Sequence, residues 1–383
     1  MPAPAPRSVL CVVGARPNFI KMAPILNAFA AHQPRISTTL VHTGQHFGEL
    51  MNGQYFSALD MPRPNFNLAV GSGSHAQQTG EIMQRFEPVL DRVAPDAVLV
   101  AGDVNSTLAC ALVAQKKGVP VLHVEAGLRS FDRRMPEEIN RLLTDQLSEL
   151  LFTSEASGRA NLLREGVDGR RIHFVGNVMI DSLMRNAALA VPVETLLHKT
   201  GRSAMFKRGA AYAVLTVHRP SNVDSAIDLR RTLELISAIT RRVPVILPLH
   251  PRTRAAIATH GLEALLEHAG LLVTEPLGYL EMLGAMKTAR VIITDSGGLQ
   301  EEATVLGVSC ITLRDRTERP ITVDCGGNIL VAGDREKTLR VLDEILRGMH
   351  KPNARPPLWD GAAAARIAAA THDWFNQTSG RPS

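Results

Sequence analysis

The chain has 383 residues, 45% hydrophobic and 21% charged, the balance of a globular protein with room for two cores. Its net charge of +5 is spread along the chain without a dense Lys/Arg block, and 4% of residues are aromatic, so nucleic acid binding is not expected, whereas a small anionic substrate fits. No apolar run is long enough to span a bilayer, and Cys11, Cys110, Cys310 and Cys325 show no C-x-x-C or metal spacing; a cytoplasmic protein with no membrane insertion, metal or other cofactor is expected.

Strand and helix signals alternate from the start. SVLCVVG (8–14) reads as a buried strand, and the helical pattern over 18–31 contains Pro24, which predicts a kink. ISTTLVHT (36–43) is the second strand, a helix is expected over 47–59, and NFNLAVG (65–71) is a short strand before a long helix over 75–93. DAVLVAG (96–102), VPVLHVE (119–125), ELLFTS (149–154) and RIHFVGN (171–177) are further strands with helices between them. The second half repeats this grammar in AYAVLTVH, VPVILPLH, GLLVTEP, ARVIITDSGG and VSCITL, then ends in an Ala-rich helix over 361–375. Continuously apolar strands separated by helices imply parallel sheets covered on both faces. We therefore expect an α/β protein of two doubly wound Rossmann-like domains, 1–176 and 177–360. The C-terminal helix, 361–376, is expected to cross back onto the first domain, with ligands at the carboxyl ends of the strands in a cleft.

The chemistry is expected at those strand ends. TDSGGLQEE (294–302) reads strand, tight turn, helix; the small residues Ser296, Gly297 and Gly298 let a phosphate approach free helical amides, and Glu301 and Glu302 are placed in the first turn. A capped connection with dipole-matching acids is the alternative reading of this stretch. His218 and Arg219 (TVHRPSN), His250 and Arg252 (LPLHPRTR) and Arg319 (RDRTERP) also fall at strand ends, and their convergence with an amide-rich helix start describes a diphosphate site. In the first half, Arg16 suits a phosphate by its planar fork, whereas Lys21 reads as a solvated helix residue; Gln45 and His46 are turn residues or ligand contacts. Asp103 ends its strand with no evident core purpose, before a helix that Asn105 or Ser106 would cap. His123 and Glu125 share one strand face, the histidine reading as a brace and the acid as functional. Pro136, Glu137 and Glu138 form an ordinary helix start, with Arg141 at the i,i+4 position from Glu137.

GARPNFIKMAP, TGQH, GD before a helix, HVEAGLRS, MPEEINR, VHR, TDSGGLQEE and RDRTERP, in this order over nearly the whole chain, resemble the non-hydrolysing UDP-N-acetylglucosamine 2-epimerases. The resemblance implies a glycosyltransferase-B type of fold and interconversion of UDP-N-acetylglucosamine and UDP-N-acetylmannosamine through elimination of UDP. It also implies Asp103, Glu125 and Glu137 as the acids acting at C2. Arg16, His218, Ser296, Gly297 and Gly298 would clamp UDP, Glu302 would bind the ribose, and Arg319, Arg141 and Lys21 would line the site. A UDP-sugar substrate and a homodimer follow from the same resemblance. Gln45, His46 and His250 are possible regulatory or secondary contacts, although Gly48 and the 71–74 segment depart from the pattern of members activated by substrate, and Ser221 stands where many members have an acid. Relatives acting on UDP-2,3-diacetamido sugars, and a transferase on the same fold, are the alternatives.

Overall fold

The computed structural model describes residues 7–44, 61–201, 206, 209–350 and 354–378, the side chain of Arg16 excepted. The helix expected over 47–59, with Gln45, His46 and Gly48, lies outside them. Contacts divide the chain into two compact units: residues 1–185 with 357–383, and 186–356.

The first unit holds a seven-stranded parallel sheet in the order β3-β2-β1-β4-β5-β6-β7. Its strands are β1 (Ser8–Val13), β2 (Ser37–His42), β3 (Phe66–Asn67), β4 (Ala97–Ala101), β5 (Val121–Val124), β6 (Leu150–Thr153) and β7 (Ile172–Phe174). Residues 9 to 13 of β1 are all buried, because helices cover both faces of the sheet and neither face is left to water. The chain order reverses between β1 and β4, the switch point at which open α/β sheets bind ligands. Asn18 ties that point together. Its Oδ1 accepts from the amides of Gly14 and Ala15 after β1, and its Nδ2 donates to the Ala101 carbonyl at the end of β4. Gly14 is required there, since a Cβ would lie 2.2 Å from Ser106 Oγ.

The C-terminal helix, Ala363–Thr378, belongs to this first unit and contacts the Arg16–Ala31 helix. The Asp181 carboxylate accepts from the amides of Ala363 and Ala364, at 3.1 and 2.7 Å, satisfying donors that no helical carbonyl can reach. Trp359, almost wholly buried, donates its indole N–H to the Ser154 carbonyl.

The second unit holds a six-stranded parallel sheet in the order β10-β9-β8-β11-β12-β13. Its strands are β8 (Ala213–Thr216), β9 (Val245–Pro248), β10 (Leu271–Thr274), β11 (Val291–Thr294), β12 (Ser309–Thr312) and β13 (Asn328–Leu330). The two-residue period is visible in its cores. Ala213, Leu215, Val291, Ile293 and Ile311 pack on one face, and Val214, Ile292 and Cys310 on the other. β13 was not expected from sequence: it has three residues, set between left-handed Gly327 and Ala332. Here the switch point lies between β8 and β11.

Candidate active site

Each sheet carries a polar cluster at its switch point, and the two clusters differ in chemistry. In the first unit the carboxylates come from the ends of β4 and β5. Asp103 follows β4, and Arg141 grips it with Nε and Nη2 at 3.0 and 2.6 Å. The same guanidinium gives Nη1 to Glu138 at 2.6 Å, so the partner of Arg141 within its helix is Glu138 at i−3, not Glu137. Glu138 also accepts from the amides of Ser130 and Phe131, at 2.9 and 2.8 Å, which ties the loop entering the Pro136–Leu147 helix onto that helix. Glu137, its neighbour in the first turn, is half-buried. Asn105 and Ser106 do not cap the helix after Asp103; Asn105 donates to Gln78, and Ser106 shares a hydrogen bond with Thr43.

Glu125 follows β5 in the left-handed region, φ 72°, where a non-glycine residue is strained by about 1–3 kcal/mol. Its amide and that of Ala126 both donate to the Phe152 carbonyl, which holds this turn. The Glu125 carboxylate forms an ion pair with Lys21, and both side chains are buried. The expectation of a solvated Lys21 is therefore corrected. Gly102 makes room, because a Cβ there would lie 3.1 Å from the Lys21 ammonium.

His123 braces the two strand ends. Its Nδ1 lies 2.7 Å from Asp145 and its Nε2 2.9 Å from the Gly102 carbonyl, with no exposed surface. Burial would raise the Asp145 carboxyl, but the hydrogen bonds and charges of His123 and Arg129 hold it below the usual range. Asp145 also accepts from the Gly127 amide, so one buried acid fixes the start of the loop after Glu125.

In the second unit the cluster gathers around a helix start. The Gly297–Leu306 helix begins after N-cap Ser296, whose side chain makes no capping bond, so its first amides are not satisfied within the helix. Glu301 and Glu302 fall in the second turn, not the first, beyond the reach of the dipole. Glu301 instead makes a buried pair with Arg319 at 2.6 Å; Glu302 is buried as well. Gln300 accepts from Thr317 and Asn328, locking this helix to the loop that carries Arg319.

Asp295, which the sequence reading passed over, organises the cluster. It is fully buried; its Oδ2 accepts from the amides of His218 and Arg219 and from Asn222 Nδ2 at 2.8–2.9 Å, and its Oδ1 lies 2.9 Å from His218 Nδ1. Burial alone would raise this carboxyl; the hydrogen bond and charge of His218, with the Arg219 amide and Asn222, bring it down to about 2. His250 stacks 5.2 Å from the His218 ring and caps the Pro251–His260 helix by accepting from the Arg252 amide. Arg219 lies 3.7 Å from buried Glu318, and Arg252 pairs with Asp224. Among the described residues no three His, Cys, Asp or Glu side chains are grouped to hold a metal, and no helix is long and apolar enough to cross a membrane.

Two doubly wound sheets, one with strand-end acids and one with an open helix start, define an α/β enzyme of the glycosyltransferase-B type of fold. A lipopolysaccharide outer core galactosyltransferase shares that fold at 11% identity, TM-score 0.52 over 97% of this chain and 99% of its own. The family model described as UDP-N-acetylglucosamine 2-epimerase matches residues 29–372, and the chain belongs to that family. The UDP-N-acetylglucosamine 2-epimerase of Methanocaldococcus jannaschii is 42% identical over 93% of this chain and 96% of its own. Its crystal structure in complex with UDP-GlcNAc and UDP superposes with a TM-score of 0.87 at 40% identity, covering 96% and 99% of the two chains. A UDP-2,3-diacetamido-2,3-dideoxy-D-glucuronate 2-epimerase of Pseudomonas aeruginosa is 41% identical over 86% of this chain and 89% of its own.

Proposed function

We propose that the protein inverts C2 of UDP-N-acetylglucosamine to give UDP-N-acetylmannosamine, by eliminating UDP to 2-acetamidoglucal and adding it back. The observation that carries this reading is the uncapped start of the Gly297–Leu306 helix next to Asp295-held His218, in a chain whose other unit presents fixed carboxylates. In the elimination a base takes the C2 proton, the C2–H electron pair becomes the C1–C2 double bond, and the C1–O pair leaves with UDP. Return of a proton to the opposite face of C2 and re-addition of UDP complete the inversion. Asp103, Glu125 and Glu137 are the proposed acids and bases at C2. Arg141 and Lys21 set the charge and orientation of the first two.

His218, Ser296 and the Gly297 and Gly298 amides are the proposed clamp on the departing diphosphate, where negative charge grows in the transition state. Arg16 joins them by family resemblance, as do Glu302 at the ribose and Arg319 as a substrate contact. Gln45, His46 and His250 remain candidates for secondary contacts. A cytoplasmic homodimer serving polysaccharide synthesis completes the reading.

A second substrate, a UDP-2,3-diacetamido uronate, is supported by the identity to the Pseudomonas relative. Incubation with each UDP-sugar, with no acceptor present, and proton NMR of the products separates the readings. The expected result is a UDP-bound manno isomer from UDP-N-acetylglucosamine. Turnover of the uronate alone would move the substrate to the second class, and release of free sugar would replace epimerisation with hydrolysis.

A further inference from the structure

The Pro136–Leu147 helix is built inside out. Its buried residues are Glu138, Asn140, Arg141, Thr144 and Asp145, all polar, whereas its exposed ones are Ile139, Leu143 and Gln146. A surface helix ordinarily has the opposite arrangement, with its apolar stripe on the core and its charges in water. Here every charged side chain of the helix is buried or half-buried, so the outer face carries no charge. Rotation cannot correct the mismatch, because the inner face is bonded into the unit. Asn140 donates to the Asp103 carbonyl, Arg141 grips the Asp103 carboxylate, and Asp145 lies 2.7 Å from His123 and accepts from the Gly127 amide.

At the entrance to the helix Phe131 is 67% exposed at φ 57°, and its amide donates to Glu138, one position before Ile139. A left-handed backbone thus holds an aromatic ring out in water where the inverted helix begins. Phe131, Ile139 and Leu143 leave roughly 300 Å² of apolar surface on each copy, the centre of a standard interface of about 800 Å² per partner.

We propose that the outer face of this helix is the surface on which a second copy of the chain docks, helix against helix across a two-fold axis at the level of Arg141. This rests on the reading of the protein as a homodimer. Ile139 and Leu143 lie two positions either side of Arg141, so antiparallel packing sets Ile139 of one copy against Leu143 of the other, and the reverse. An uncharged stripe meets its own copy without like-charge repulsion, and antiparallel helices bring opposite dipole ends together. The same symmetry carries exposed Arg133, before the helix, toward Glu149, after it, each eight positions from Arg141. A charged partner finds no counter-charge on this face. A helix that lies on a membrane surface presents Lys and Arg on its polar side, and here the polar side is buried in the fold.

The experiment is sedimentation velocity at micromolar concentration on the full chain and two charged double variants, Ile139→Lys with Leu143→Lys and Ile139→Glu with Leu143→Glu. The native protein is expected to sediment as a dimer. Each charged variant alone should be a monomer, its self-association weakened by about 100-fold or more as like charges face each other. An equimolar mixture of the two should be a dimer again, since each lysine then faces a glutamate. A charged variant that stays dimeric would overturn the assignment of this face, and a mixture that stays monomeric would overturn its packing on itself. A monomeric native protein would overturn the homodimer reading and the docking surface with it. Should a charged variant lose its fold, Ile139→Ser with Leu143→Ser decides by the same measurement, a dimer as tight as native overturning the proposal.

Discussion

Replacing Glu138 by alanine tests whether one buried acid holds both the loop at 130–131 and the guanidinium that grips Asp103. The carboxylate accepts from two amides at 2.9 and 2.8 Å and from Arg141 at 2.6 Å, and it is 2% exposed. A hydrogen bond to a charged group contributes about 1.5–3 kcal/mol, and stripping one member from a buried ion pair costs about 3–5 kcal/mol. Arg141 keeps Asp103, and the amide of Phe131, an exposed residue at φ 57°, gains water. We therefore expect about 3–5 kcal/mol in all. At about 2–4 °C per kcal/mol for a unit of this size, the melting transition of the first unit falls by roughly 6–20 °C. Glu138→Gln keeps an acceptor oxygen and is expected to lose less than half as much. Calorimetry measures the shift and turnover is read on the same samples, where the loss of Asp103 orientation appears in kcat. A melting point for Glu138→Ala within about 2 °C of native would refute the reasoning.

Other expectations follow from the same geometry. Glu125→Gln and Asp103→Asn should each lower kcat by about 10²- to 10⁴-fold while UDP affinity stays near native; loss of affinity instead would reassign that residue to binding. His218→Ala removes a hydrogen bond to a charged ligand and should weaken UDP by about 10- to 100-fold, and unchanged affinity would count against the clamp. Asp295 is depressed from 3.8 to about 2 in the folded state. Its contribution is present above the unfolded value and is lost as pH falls through the folded one. The native protein should thus lose about 2 kcal/mol from this group between about pH 4 and pH 2. Acid denaturation of Asp295→Asn should show a shallower limb there, and an identical slope would contradict it.

The strands were legible because both faces of each sheet are buried, which leaves an uninterrupted apolar run in the sequence; β13 escaped because three residues between two left-handed positions carry too little pattern. The acids at the strand ends stood out for the same reason in reverse, as charges where a core strand stops. Partnerships across the fold were not legible. Arg141 reaches Asp103 across 38 positions, and no local spacing announces that. Glu137 and Glu138 are equivalent as helix-start acids, yet the rotation of about 100° between successive helical residues turns one inward to Arg141. Lys21 looked solvated because an amphipathic helix tolerates a lysine at its edge; its burial depends on Glu125 arriving from β5. Asp295 was hidden by the small residues after it. A carboxylate directly before an uncapped helix start is itself the signal, since Asp295 turns inward there and holds the neighbouring loop.

The central claim is that C2 loses and regains its proton while UDP departs and returns. Turnover of UDP-N-acetylglucosamine in deuterated water, followed by proton NMR, tests it most directly. The account predicts a manno product that still carries UDP and holds deuterium at C2, with native protein and not with Glu125→Gln. A manno product that keeps its original C2 proton would contradict elimination at C2.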